Sequence, residues 1–282
     1  MAYLRRKSFV PVWVLALTWA FSVWAQAPES AGGPALNQEK LSEEQIREFL
    51  LKGKVVKARR AGKGITNSYL LTLTDGTIVH DASFQSVDES RAAAQFSAGR
   101  TEVHFRDSYK YNIAAFELAK LLGLGDMMPV TVERKYDGRR GSLSWWLPAK
   151  MDEERRVKDR IEPPDAEAWN KQIYRMKVFG QLVYDMDRNM GNVLISEDWH
   201  VWMIDFSRAF RLHEQLENPK NLVKCDRQLL VKLRQLDAEG VINKTRGFLT
   251  KMEVTGVMKR RDRIVAHFEN LIAQKGESEV LY

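Results

Sequence analysis

The chain has 282 residues, with 44 Lys and Arg against 37 Asp and Glu, a formal net charge of +7. At 44% hydrophobic and 29% charged it has an ordinary globular composition, which excludes a disordered chain, a collagen-like chain and a multi-span membrane protein. The single cysteine, Cys225, excludes an intrachain disulfide framework and a cysteine-based zinc site, and the histidines (His80, His104, His200, His213, His267) show no ligand spacing.

Arg5, Arg6 and Lys7 precede an apolar run over 10–23 that is interrupted early by Pro11. Val23 and Ala25 then stand at −3 and −1 before Gln26, so the stretch reads as a secretory signal peptide over 1–25. The run is about 14 residues, shorter than the ~20 of a comfortable membrane span. An uncleaved N-terminal anchor is the alternative. No cysteine lies nearby for a lipid anchor, and the two adjacent arginines lack the rest of a twin-arginine motif. The expectation is an exported chain, periplasmic or secreted. Removing Arg5, Arg6 and Lys7 lowers the charge excess by three, from +7 to +4, a mild balance that calls for no nucleic-acid partner. Residues 26–40, with Pro28, Gly32, Gly33 and Pro34, read as a flexible spacer.

Ser42-Glu43-Glu44-Gln45 is a capping-box pattern ahead of Ile46, Phe49 and Leu50, and predicts a helix start. A strand over 54–58 leads to a turn at Gly62-Lys63-Gly64. Strand-like runs over 69–73 and 78–84 flank Asp75-Gly76, a hairpin signal. Ile113, Phe116, Leu118, Leu121 and Leu122 give a helix over 112–122 stopped by Gly123. Two strands over 129–134 and 142–147 surround Asp137-Gly138, and the charged stretch 150–164 ends in Pro163-Pro164 as a connector. A helix over 166–184, strands over 193–195 and 201–204, and helices over 227–238 and 247–274 complete the chain. The expectation is an α+β fold: a strand-rich lobe over 41–150, a helical lobe over 151–282, and a cleft at the join.

The informative stretch runs from Tyr184 to Ile195, followed by Met203-Ile204-Asp205-Phe206-Ser207. Asp187 precedes Asn192 by five positions, and Asn192 precedes Asp205 by thirteen. Phosphoryl transfer uses this set of residue types: one carboxylate for the proton of an attacking hydroxyl, and an amide oxygen and a second carboxylate to hold divalent metal against phosphate oxygens. The short apolar strands on either side anchor the hairpin that gathers them, Arg188 is placed to brace the loop, and Phe206 to pack beneath the carboxylate. A polar turn collecting Asp and Asn is the plain alternative.

Asp187-Arg188-Asn189-Met190-Gly191-Asn192 with Ile204-Asp205-Phe206 resembles the catalytic loop and metal-binding motif of the protein-kinase-like superfamily. It is most similar to the atypical branches: phosphatidylinositol 3- and 4-kinases, HipA-type kinases and secretory-pathway kinases. The stretch 114–124 followed by 128–132 resembles the helix and next strand of their first lobe, and 141–147 resembles the strand leading to the interlobe hinge. The resemblance covers about 54–210 and implies a bilobal fold, ATP in the cleft, and Mg or Mn as metal. It implies Asp187 as catalytic base, Asn192 and Asp205 as metal ligands, and Glu117 as the helix carboxylate that pairs with a nucleotide-binding lysine. Gly62, Lys63, Gly64 and Ser68 fall in the loop that would cover the phosphates. The sequence departs from the family where that lysine is expected: Gln85 stands there, with Lys63 and Lys57 as nearby cations. Ser207 replaces the usual glycine.

Trp145 and Trp146 could stack an adenine but fit a core better. The run Lys259-Arg260-Arg261-Asp262-Arg263 could meet phosphate or an acidic membrane surface, and reads first as a solvated helix face. Asp185 sits two positions off the spacing of a base. The sequence therefore points to an exported, atypical kinase-like phosphotransferase acting on a protein, lipid or small-molecule hydroxyl. The alternatives are a catalytically dead kinase-fold binding or scaffold protein of the cell envelope, and an α+β envelope domain with a fortuitous motif.

Overall fold

A computed structural model describes residues 41–60, 68–95, 101–185 and 188–282. The signal-peptide and spacer segments, the turn Gly62-Lys63-Gly64, and Asp187 lie outside the described residues. The chain enters through helix α1 (Glu43–Lys52), whose Ser42 hydroxyl accepts from Gln45 N while the Gln45 side chain accepts from Ser42 N, the reciprocal cap the sequence predicts. Three antiparallel strands follow, β1 (Lys54–Arg60), β2 (Ser68–Thr74) and β3 (Val79–Gln85). The β2–β3 turn is closed by the Asp75 carboxylate, which accepts from Thr77 N and Ile78 N at 2.8 Å each.

Strands β4 (Asp88–Gln95) and β5 (Thr101–Ser108) then form a separate two-stranded ribbon that the sequence reading does not anticipate. Helix α2 (Tyr109–Leu121) starts at the end of β5 and stops before Gly123, which takes φ +70°. Strands β6 (Thr131–Tyr136) and β7 (Arg139–Trp145) return to the first sheet, giving the order β1-β2-β3-β7-β6. Asp137 and Gly138 between them both have positive φ, 48° and 75°, as a two-residue primed turn requires. Gly141 on β7 is forced by closeness: a Cβ there would lie 2.3 Å from the Gln85 carbonyl and 2.6 Å from the Phe84 ring.

The stretch read as a connector carries two short elements, β8 (Met151–Asp152) and helix α3 (Glu153–Lys158), which Asp152 caps. After Pro163 and Pro164 comes α4 (Ala166–Val183), then β9 (Val193–Ile195) and β10 (Val201–Met203), which with β8 make a three-stranded sheet in the order β10-β9-β8. The helix predicted over 227–238 ends earlier, as α5 (Arg227–Gln235), and Asp237 caps a further helix, α6 (Ala238–Lys244), that the sequence reading does not anticipate. The last long helix, α7 (Lys251–Lys275), begins four residues later than its pattern suggests, at a Thr250–Glu253 capping box; α8 (Glu277–Val280) ends the chain.

One continuous apolar core joins the sheet side (Phe84, Phe116, Leu143, Trp145) to the helical side (Phe179, Phe206, Val257, Phe268). Trp145 is core, edge-on to Phe49 and stacked on His80, whose imidazole burial pushes below its ordinary range. The basic run on α7 is not a solvated face throughout. Arg260 is fully buried, and its guanidinium donates to the carbonyls of Leu182 and Arg211 at 2.7 and 2.9 Å, and to that of His213. Arginine serves there because its fork of donors reaches several carbonyls at once.

Candidate active site

The cleft lies where the five-stranded sheet and α2 meet the turn after β10, and is lined by Gln85, Asn112, Thr131, Ser144, Leu147 and Asp205, among others. Its floor is the turn after β10. Asp205 there is half-buried and has φ +54°, a conformation Asp tolerates better than most residues but that its surroundings must hold. The restraint comes from both sides. The Ile204 carbonyl accepts from Arg188 at 2.7 Å, and Phe206 N donates to Asn112 Oδ1 at 2.6 Å. Ser207 N closes the turn on Asp205 Oδ1 at 3.3 Å. Phe206 itself is buried edge-on to Phe179.

Arg188 is the brace. Its Nε donates to the buried Asp185 carboxylate at 2.8 Å, its Nη1 donates to the carbonyls of Asn192 and Ile204 at 2.7 Å each, and its guanidinium lies 4.2 Å over the Phe206 ring. One planar fork therefore ties the loop carrying Asn192 to the turn carrying Asp205. Asn192 is buried, and its carbonyl also accepts from Ile204 N at 3.1 Å. Asp185 is spent on this ion pair and is no competitor for the base. Among the described residues no three His, Cys, Asp or Glu side chains gather to hold a metal. Of the two predicted metal ligands, Asp205 lines the cleft, while Asn192 is buried and tied to Arg188 through its backbone carbonyl; oxygen donors of this kind suit Mg or Mn better than softer metals.

No protein-family model and no curated protein sequence matches the chain. Solved structures do match. A hydra Fam20 structure containing a sugar aligns at a TM-score of 0.63 over 93% of this chain and 96% of its own, with 16% identity. The Golgi casein kinase aligns at 0.60 over 85% of this chain and 78% of its own, with 12% identity, and its form with Mn and ADP bound gives 0.60 with 11% identity. The chain has an atypical protein-kinase-like fold. At these identities the likeness is one of fold alone.

Within this kinase-like fold the helix residue facing the end of β3 is Asn112, not Glu117. Glu117 binds Arg47 of α1 at 2.6 Å and Lys120 at 3.1 Å, and does not line the cleft. The two residues are five apart, about 140° around a helix of 3.6 residues per turn, so they cannot share a face. Asn112 Nδ2 donates to Gln85 Oε1 at 2.6 Å and lies 3.4 Å from Ser142 Oγ. A pair of neutral amides thus stands where the family resemblance implies a lysine and a carboxylate. The sequence signal for Asn112 was its polarity within an otherwise apolar run, Tyr111 to Phe116. Ser68 sits opposite Gln85 in the β2–β3 register, while Gly62, Lys63 and Gly64 lie outside the described residues. Lys57 is exposed on β1 and does not line the cleft, so it does not replace the missing lysine there.

Proposed function

We propose that this protein is a kinase-like phosphotransferase, exported from the cytoplasm, that moves the terminal phosphate of ATP to a hydroxyl of a protein, lipid or small molecule. The observation that carries the reading is Asp205, held at positive φ on the cleft floor by ties on both sides, with Asn192 fastened to the same arginine. Asn192 and Asp205 would hold Mg or Mn, whose charge would neutralise the phosphate oxygens. Asp187 would take the acceptor hydroxyl's proton as that oxygen bonds to the terminal phosphorus and the bond to the ADP oxygen breaks. Arg188 keeps Asn192 and Asp205 in fixed register, and Phe206 excludes water from beneath them. The fold neighbours containing Mn with ADP and a sugar support nucleotide, metal and a carbohydrate hydroxyl as ligands to test first. Export rests on the leader-like residues 1–25; among the described residues no helix is long and apolar enough to cross a membrane.

The test is thermal unfolding with ATP and Mn or Mg. A ligand at a hundred times its Kd stabilises by about 2.7 kcal/mol. Asp205→Asn removes a carboxylate charge beside the cation and is expected to abolish the metal-dependent part of that shift. An Asp205→Asn protein that keeps the full metal-dependent shift refutes the assignment. The Gln85–Asn112 amide pair favours a second reading, a binding module without turnover. Nucleotide binding with no transfer to any hydroxyl or to water would decide for it.

A further inference from the structure

The orientation of both amides in the cleft follows from one backbone donor. Phe206 N carries a hydrogen, so the Asn112 atom 2.6 Å from it is the side-chain oxygen. The other end of that carboxamide is then the NH2 group, and it donates at 2.6 Å. The atom of Gln85 that receives this bond must therefore be its carbonyl oxygen. The Gln85 NH2 lies on the opposite side of its own carboxamide, and it donates to none of the described residues. Gln85 is 8% exposed and lines the cleft together with Ser144 and Asp205, so the NH2 is the group it offers there.

We infer that Gln85 determines what this cleft accepts: it gives a neutral hydrogen bond to an oxygen of a metal-held phosphate, and Asn112 is the residue that positions it. The inference rests on the nucleotide reading above and adds a consequence to it. A lysine would bring a fixed positive charge to the phosphates whether or not metal is present; Gln85 brings none. Among the described residues lining the cleft there is no lysine or arginine. The described lining of the cleft thus adds no positive charge of its own, and nucleotide affinity is expected to depend on the divalent cation. Asn112 Oδ1 also accepts from Phe206 N in the Asp205 turn, so one side chain aligns the phosphate donor and the proposed metal carboxylate together.

Calorimetric titration of the full chain with ADP, with and without Mn, tests this. Wild type is expected to bind ADP with Mn and to show no measurable binding without it. Gln85→Glu keeps an oxygen to accept from Asn112 but loses the donor and adds a negative charge, so binding with Mn should weaken by at least about tenfold. Gln85→Lys should gain metal-free ADP binding of at least about tenfold over wild type. That gain cannot come from a misfolded protein, so it decides the matter if Gln85→Glu folds poorly. Asn112→Asp keeps the acceptor for Phe206 N and loses the donor to Gln85. Its loss of affinity should be non-additive with that of Gln85→Glu, whereas a merely structural role would give additive losses. Gln85→Glu binding Mn and ADP as wild type does, or Gln85→Lys showing no metal-free gain, overturns the inference while leaving the nucleotide reading standing. Wild type that binds no nucleotide with any metal overturns both.

Discussion

Arg188→Met tests whether the cleft floor is held by charge and geometry together. The guanidinium meets the Asp185 carboxylate at 2.8 and 2.6 Å and two carbonyls at 2.7 Å, and lies 4.2 Å over the Phe206 ring. The side chains of Arg188 and Asp185 are 15% and 1% exposed, so the pair is shielded from water and from screening ions. Methionine fills the stem volume but leaves the buried carboxylate without its cation. Breaking a buried pair in this way costs about 3–5 kcal/mol. The expectation is set at the lower end, about 3 kcal/mol. For a domain of this size each kcal/mol lowers Tm by about 2–4 °C, so scanning calorimetry should show a fall of roughly 6–12 °C. Adding Asp185→Asn removes the stranded charge and should return at least about 1 kcal/mol, a coupling that only contacting residues give. Arg188→Lys, a single point charge that cannot reach all the acceptors, should fall between wild type and Arg188→Met. A Tm change under about 2 °C for Arg188→Met, or no recovery in the double variant, refutes the brace.

Three further outcomes are expected. Asp187→Ala should leave the ATP-and-metal thermal shift nearly intact while transfer falls by on the order of 10² or more; a binding loss as large as the rate loss would move Asp187 into the metal shell. N-terminal sequencing of the exported form should begin near Gln26, and a soluble cytoplasmic chain retaining Met1 would contradict export. Cys225 is buried, and burial pushes its thiol up to about 12 from 9.0. Native protein should therefore resist thiol reagents at pH 8 and react with one equivalent only once unfolded. The same shift has a fixed sign in linkage. Between pH 9 and about 12 the folded state keeps a proton that the unfolded chain releases, so this contribution is intact below pH 9 and is lost as pH rises. In Cys225→Ala that alkaline component should vanish.

What was legible in the sequence was what local chemistry dictates. Ser42 with Gln45 and Asp75 each satisfy nearby backbone groups, Asp137-Gly138 take the positive φ their turn needs, and each appears where the sequence places it. The β4–β5 ribbon was not legible because Glu89, Arg91, Ala93, Ala94 and Gln95 favour helices, and strand pairing with β5 overrides that preference. Arg260 was misread because a charged run suggests solvent, while the carbonyls of Leu182, Arg211 and His213 that enclose it come from segments distant in sequence. Glu117 was chosen for its charge, whereas the position facing β3 is fixed by helical register, and register selects Asn112. Asn192 and Asp205 were readable through their spacing and the apolar strands around them; the ties that hold them were only partly so, since Arg188 lies in the motif and Asn112 does not.

Those two ties differ in kind, and the difference bears on how the cleft responds to change. Arg188 binds through charge from the loop after α4, and Asn112 binds through a neutral amide from α2. They grip the residues on either side of Asp205, whose positive φ leaves its carboxylate little freedom to settle elsewhere. The α2 side is further secured where Ser108 N donates to the Ser207 carbonyl at 2.8 Å, one turn before Asn112. A displacement of α2 would therefore pull on Phe206 and Ser207 while Arg188 held Ile204 in place, and the strain would fall on Asp205. The Asp205 carboxylate, the proposed metal ligand, is the point at which α2 and the loop after α4 are compared. A cation seated there would favour the one placement of α2 that satisfies both, and by the reciprocity of linked equilibria a correctly placed α2 would strengthen the cation's binding in equal measure.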